Sequence, residues 1–279
     1  MESGNFLSWL RGNGMADDKP VNPVALTIAG SDPSGGAGLQ ADLKAFHQHG
    51  VYGASVVTLL TVQNTVTVDA VECLPPEMVL AQLDAVLVDI PPHAAKTGAL
   101  GNAAIIEALG ERARHFTFPL VIDPVMVSKH GLPLIDPEAI DCFIRALLPH
   151  AFLLTPNLNE AARLTGLTVD TVAAMEVAAK ALVERGARNV LVKGGHLEGQ
   201  AVDVLLADGK LIHLPARRID TPHTHGTGCV LSASITARLA KGQGVEEAVR
   251  GAKDFVNRAI ATNPGLGKGH GPVNLFTPC

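Results

Sequence analysis

From Val24 onward the apolar positions fall into short blocks whose spacing alternates between that of strands and that of helices. Val24 to Ala29 is a largely apolar run ended by Gly30, Ser31, Asp32 and Pro33, the pattern of a buried strand that delivers the chain to a loop. Gly38 to His49 places Leu39, Leu43 and Phe46 on one helical face, and Gly53 to Val62 is a β-branched, apolar strand. Pro76 to Asp89 opens with Pro-Glu and repeats Val79, Leu83, Val86 and Leu87 at helical spacing. Strand Ala94 to Thr97, helix Gly101 to Arg114 and strand Leu120 to Ile122 follow. The next helix, reaching Leu148, is expected to have Asp136 as its cap and Pro137 at its first position. Strands Phe152 to Leu154 and Asn189 to Lys193 flank a helix from Val172 to Arg185. Val202 to Ala207 and Lys210 to Leu214 form a hairpin pattern around Asp208-Gly209, and helices Gly228 to Ala240 and Val245 to Ala261 close the series.

This alternation predicts one α/β domain over residues 24–279, with a mostly parallel sheet covered on both faces and a hairpin near one edge. Ligands gather at the carboxyl ends of such strands. Gly30-Ser31-Asp32, Gln63-Asn64, Lys96, Asp123, Asn157, Lys193 and the segment around Gly226 all fall there. Residues 1–23 lack the periodic pattern and are expected to form a leader outside the domain, with Met15 as a candidate second start.

Composition narrows the function classes. Hydrophobic residues make up 47% and charged residues 18%, so the chain can bury a core. A formal charge of -5 with no basic run argues against nucleic acid as a partner. The apolar runs are too short to span a membrane, and no signal peptide is evident at Met1 to Leu10. Cys73, Cys142, Cys229 and Cys279 form no CxxC pair, which favours a reducing compartment over a disulfide framework.

The sharpest local signal is Thr224-His225-Gly226-Thr227-Gly228-Cys229, which runs straight into a helical pattern. Two glycines allow a tight turn, and the unpaired N–H groups of a new helix make an anion cradle. Cys229 falls in the first turn, where the helix terminus is expected to lower a thiol pKa and suit it to take a proton from a hydroxyl. Ser34-Gly35-Gly36-Ala37-Gly38 is a second glycine-rich loop. Neither Gly-x-Gly-x-x-Gly after the first strand nor Gly-Lys-Ser/Thr occurs, so the usual dinucleotide and P-loop signatures are missing. Phosphoryl transfer needs an anion clamp, a cation, a metal-organising carboxylate and a group to handle the acceptor proton. Gly226 to Gly228, Lys193, Asp123 with Glu160, and Cys229 are the candidates. The plain structural alternatives are a turn cap at Asp123, an ordinary first-turn residue at Glu160, and zinc ligation by His223, His225 and Cys229.

Seven ordered motifs resemble bacterial hydroxymethylpyrimidine/phosphomethylpyrimidine kinases of the ribokinase superfamily. They are Ala29 to Lys44, Gln63-Asn64-Thr65, Val121 to Met126, Thr155 to Glu160, Val192 to His196, His225 to Cys229 and Gly269 to Val273. The resemblance implies a three-layer α/β/α ribokinase-like fold and a cytoplasmic, usually dimeric enzyme of thiamine biosynthesis. Such an enzyme uses ATP and Mg2+ to phosphorylate 4-amino-5-hydroxymethyl-2-methylpyrimidine and then its monophosphate. It further implies Gln63, Gly30, Asp42 and Ala99 at the pyrimidine, and Lys193, Asn157, Thr224 and His225 at ATP. Asp123 and Glu160 would be at the metal, with Gly226, Thr227, Gly228 and Cys229 at the reacting phosphoryl. Three positions depart from the family pattern: Ala99 where methionine is common, His223 for asparagine, and Leu275 for histidine. Pyridoxal or pyridoxine kinase is the enzymatic alternative, and a non-catalytic small-molecule-binding module is the alternative of another class.

Overall fold

The computed structural model describes residues 22–128, 131–136, 138–195, 197 and 201–279. Residues 1–21 of the predicted leader, Pro137 and His196 lie outside the described residues. The first half contains strands β1 (Val24–Ser31), β2 (Tyr52–Gln63), β3 (Val68–Cys73), β4 (Ala94–Thr97) and β5 (Leu120–Ile122), with helices α1 (Gly38–Gln48), α2 (Pro76–Asp89) and α3 (Ala103–Ala113). The second half holds helix α4 (Ala139–Cys142), strand β6 (Leu153–Leu154), helices α5 (Leu158–Thr165) and α6 (Val172–Glu184), and strands β7 (Val190–Val192), β8 (Ala201–Ala207) and β9 (Lys210–Ala216). Helices α7 (Thr227–Ala240) and α8 (Val245–Ala261) follow.

The strands form one sheet in the order β3-β2-β1-β4-β5-β6-β7-β8-β9. Pairing is parallel from β2 through β7 and antiparallel at both margins, where β3 joins β2 and the β8–β9 hairpin joins β7. Each central strand carries apolar residues on both faces, as burial under two helical layers requires. One core layer packs Leu83, Ile105, Leu109, Leu147, Leu164 and Leu182 from α2 to α6 against the sheet. The opposite layer packs Phe46, Ile235, Val249 and Phe255 from α1, α7 and α8. The architecture is therefore the expected three-layer α/β/α sandwich with a mostly parallel sheet.

Local signals explain several helix starts. The side chain of Asn102 accepts from Ile105 N at α3, and that of Thr171 accepts from Ala174 N at α6. Asp136 is a correction. Its backbone carbonyl, not its carboxylate, accepts from Ala139 N, and Glu138 occupies the cap position of α4 with no side-chain bond. That helix continues as a π-helical turn at Phe143–Leu147. No described helix is long and apolar enough to cross a membrane.

Candidate active site

The direction of travel along the sheet reverses between β1 and β4, and a crevice opens at such a switch point. A cleft of about 790 Å³ runs there along the carboxyl ends of the strands. Every predicted site residue lines it except Asp42.

At its centre is the start of α7. Gly226 has φ 76°, a left-handed conformation, and an added Cβ would collide with the Gly36 carbonyl. The turn and the loop 34–38 thus pack backbone against backbone. No side chain caps α7; Thr227 N turns back to Thr224 O at 3.4 Å, and the other N–H groups of the first turn lie beside the cleft at the positive end of the helix. Thr227 secures the turn by donating from Oγ1 to Thr224 O at 3.1 Å. A Cβ on Gly228 would stand 3.3 Å from Lys193 Nζ and 3.8 Å from Asp123 Oδ2. Helix terminus, ammonium and carboxylate therefore converge on one small volume.

Lys193 donates to Asp123 Oδ1 at 3.0 Å, while the other carboxylate oxygen accepts from Ser232 Oγ at 3.2 Å. Burial works against the Lys193 charge, but Asp123 and Glu160 outweigh it and raise its pKa. Asn157 and Glu160 form a reciprocal capping box on α5: Glu160 N donates to Asn157 Oδ1, and Asn157 N to Glu160 Oε2. Burial first, then Asp123, push the Glu160 carboxyl up to about 7 against the pull of Lys193 and two backbone bonds. Among the described residues no group of three or more His, Cys, Asp or Glu could hold a metal, which removes the zinc alternative. Two carboxylates beside an anion cradle still suit Mg2+, which takes one or two protein carboxylates and completes its shell with water and phosphate oxygens.

Cys229 overturns one expectation. Burial, the largest influence, together with Asp42 and Asp123 pushes its thiol up to about 11, although Lys96 and the Gly38 N–H pull the other way. The helix terminus does not win against burial, so the thiol rests protonated at neutral pH. Asp42 is the second correction. Fully buried beneath the cleft, it accepts from Lys96 Nζ at 2.8 Å and Thr27 Oγ1 at 2.6 Å. Lys96 is the residue that meets the cleft there. Burial disfavours its charge, but the Asp42 carboxylate overcomes this and raises its pKa.

One end of the cleft is formed by Gly30, Leu59, Thr61, Gln63 and Ala99. His225, expected on the ATP side, reaches Asp32 instead at 2.8 Å and lies 3.2 Å from the Gln63 amide. Burial alone would raise the Asp32 pKa, but hydrogen bonds from His225, Ser34 and Ala37 lower it. At the far end the cleft is bounded by Asp203, Arg217, Arg218, Lys253 and Asn257.

The sequence matches the family described as "Phosphomethylpyrimidine kinase" over residues 32–274. The chain belongs to this family. It is 47% identical over 255 residues to the hydroxymethylpyrimidine/phosphomethylpyrimidine kinase of Haemophilus influenzae, covering 89% of this chain and 95% of that one. The Rhizobium meliloti protein of the same name is 49% identical over 260 residues, with coverage of 92% and 98%. Among solved structures, a Bacillus subtilis pyridoxal kinase in complex with ADP superposes with a TM-score of 0.84 at 40% identity, covering 91% and 97%. A phosphomethylpyrimidine kinase from Clostridium difficile gives 0.77 at 42%, covering 86% and 100%.

In this family member, several residues that organise the cleft carry little or no mark in the sequence. Asp32 sits in a loop motif with no sign of its partners, yet it gathers Ser34, Ala37 and His225. Ser232 lies one turn into α7, where the sequence pattern reads only as helix, yet it fixes Asp123. Asp203 accepts from Gly194 N at 2.8 Å and from Lys253 Nζ, and so ties the loop after Lys193 to α8. An aspartate within a hairpin strand and a lysine within a helix give no signal of their pairing.

Proposed function

We propose that this chain transfers the γ-phosphoryl of ATP to the hydroxymethyl group of 4-amino-5-hydroxymethyl-2-methylpyrimidine and then to the resulting monophosphate, in thiamine biosynthesis. The observation that carries this reading is the convergence of the α7 N-terminus, Lys193 and Asp123 in a cleft that is also lined by the primary amide of Gln63. Such a centre stabilises charge on a phosphoryl between donor and acceptor.

Gly226 to Gly228 supply N–H donors to the moving phosphoryl, and Lys193 adds a fixed positive charge. Asp123 and Glu160 would hold Mg2+ with its waters, and the ion when bound neutralises the phosphate oxygens. Asn157 positions Glu160 through the capping box. Since Cys229 rests as a thiol, its role is to orient the acceptor hydroxyl, whose proton leaves late, onto a phosphoryl oxygen, as the new O–P bond forms. Gly30 and Ala99 border the ring and Gln63 reads its amino and ring-nitrogen edge. Asp42 acts from behind by seating Lys96. Thr224 and the far end of the cleft receive the nucleotide.

A second copy of the chain is the proposed partner. Tyr52, Leu60 and Val62 of β2 are 57%, 48% and 59% exposed, Leu60 and Val62 on one face of the strand, and the exposed Val66 lies in the β2–β3 turn. ATP supply and four free thiols fit a cytoplasmic setting.

The test is ADP release with the pyrimidine alcohol, its monophosphate and pyridoxal as competing acceptors. Turnover of neither pyrimidine would end this reading, and nucleotide binding without ADP production would favour a non-catalytic module. Pyridoxal kinase is kept as a second reading because Ala99 leaves room over the ring and pyridoxal kinases superpose closely.

A further inference from the structure

Asp32 follows β1, Gln63 ends β2, and His225 precedes α7, yet hydrogen-bond distances join all three. His225 Nε2 is 2.8 Å from Asp32 Oδ2, and one end of the Gln63 amide is 3.2 Å from the same nitrogen. The other amide end is 3.3 Å from Thr61 Oγ1, whose hydroxyl donates to Ser31 O at 2.9 Å. His225 and Asp32 are almost wholly buried.

A carboxylate only accepts, so the nitrogen facing Asp32 must carry a hydrogen, whether the imidazole is neutral or charged. That nitrogen then has no lone pair to offer Gln63. Its one hydrogen can be shared as the longer arm of a three-centre bond, so the contact is favourable only with the amide oxygen, not its NH2, facing His225. The NH2 then turns to Thr61 Oγ1, which has a lone pair free because its own hydrogen is spent on Ser31.

We propose that His225, held as an Nε2–H donor by Asp32, is a specificity-determining positioning residue that locks the Gln63 amide with oxygen toward His225 and nitrogen toward Thr61. Resting on the pyrimidine reading above, the lock imposes one order of groups on the acceptor ring. A donor must lie on the His225 side and an acceptor on the Thr61 side. In the proposed pyrimidine the 4-amino group is that donor, the adjoining ring nitrogen is that acceptor, and the hydroxymethyl group sits next to the amino group. The accepted orientation therefore carries the hydroxymethyl group toward the His225-Gly226 side, where the transfer centre begins. The 4-oxo analogue presents the reverse order, C=O beside ring N–H, and meets like groups at both positions. Pairing failures of this kind discriminate by about a hundredfold or more.

Two measurements test the lock. Nitrogen-15 NMR of the histidine side chains in the unaltered protein at pH 8 is expected to show His225 protonated at Nε2. A lone pair at Nε2 would overturn the proposal without any reference to substrate. The second is the ratio of kcat/KM for the 4-amino and 4-oxo alcohols, measured in the wild type and in His225→Phe. The substitution is expected to shrink the preference at least tenfold, and an unchanged ratio in a folded variant overturns the proposal. Where His225→Phe stops turnover, calorimetric Kd values for the two alcohols supply the same ratio and decide the matter in the same way. A wild-type enzyme inactive on both alcohols would sink the pyrimidine reading, while the NMR result would still decide the lock.

Discussion

The Cα of Gly228 faces Lys193 so closely that a Cβ there would stand 3.3 Å from Nζ. Helix α7 has few alternatives at this point, because any side chain would occupy the space between its N-terminus and the ammonium.

Gly228→Ala is therefore expected to lower phosphoryl transfer by roughly a hundredfold, comparable to loss of one oxyanion donor. Stability should hold or rise, since alanine favours a helix over glycine by about 0.5–1 kcal/mol. ADP release and a melting curve check the two halves. Full activity with an unchanged melt would remove this volume from the reaction.

Cys229→Ala separates a role in directing the acceptor hydroxyl from simple packing. Loss of turnover with both the alcohol and the monophosphate acceptor is expected, while near-wild-type rates for both would exclude the cysteine. With its thiol pushed up to about 11 by burial, Cys229 should also alkylate slowly at pH 8 and speed up toward pH 11. Iodoacetamide labelling mapped by mass spectrometry reads this directly.

His49 supplies a pH dependence remote from the cleft. Burial, then the charges of Arg238, Lys241 and Arg258, lower its pKa from 6.5 to about 4. Between these values the unfolded chain binds a proton that the folded chain refuses. Stability is thus complete above about 6.5 and is lost as pH falls toward 4, by at most about 3 kcal/mol. The fall in Tm over this range should be smaller in His49→Gln than in the wild type. Equal slopes would refute the assignment.

Ala99→Met restores bulk beside the ring pocket. A several-fold lower KM for the pyrimidine alcohol and weaker use of pyridoxal are expected from parallel kinetics on the two acceptors. Equal changes for both would show that position 99 does not select between rings.

The strand-helix alternation is legible because a parallel sheet buried on both faces needs apolar runs, and Val24–Ser31, Ala94–Thr97 and Leu120–Ile122 consist largely of them. Strand β3 is not, because Val68–Cys73 lies at the margin and carries Asp69 and Glu72 outward. Helix α5 is only partly legible: Glu160 reads as a first-turn residue, but the eight residues begin within a loop motif and are too few to show a helical period. Asp123, Asn157, Lys193 and Gly226 stand out because strand ends and glycine turns leave local marks.

What no local pattern holds is the state and partnership of those groups. Asp42, expected at the ligand, lies beneath Lys96, and His225, expected at ATP, reaches Asp32, 193 positions away. The Cys229 thiol, expected to be acidic, is driven up by burial. Sequence determined which elements form and which strand ends carry polar residues, since both depend on neighbours along the chain. Burial and charge pairing depend on distances that exist only once the layers close, so the tertiary structure alone decided which residues line the cleft and which hold others in place.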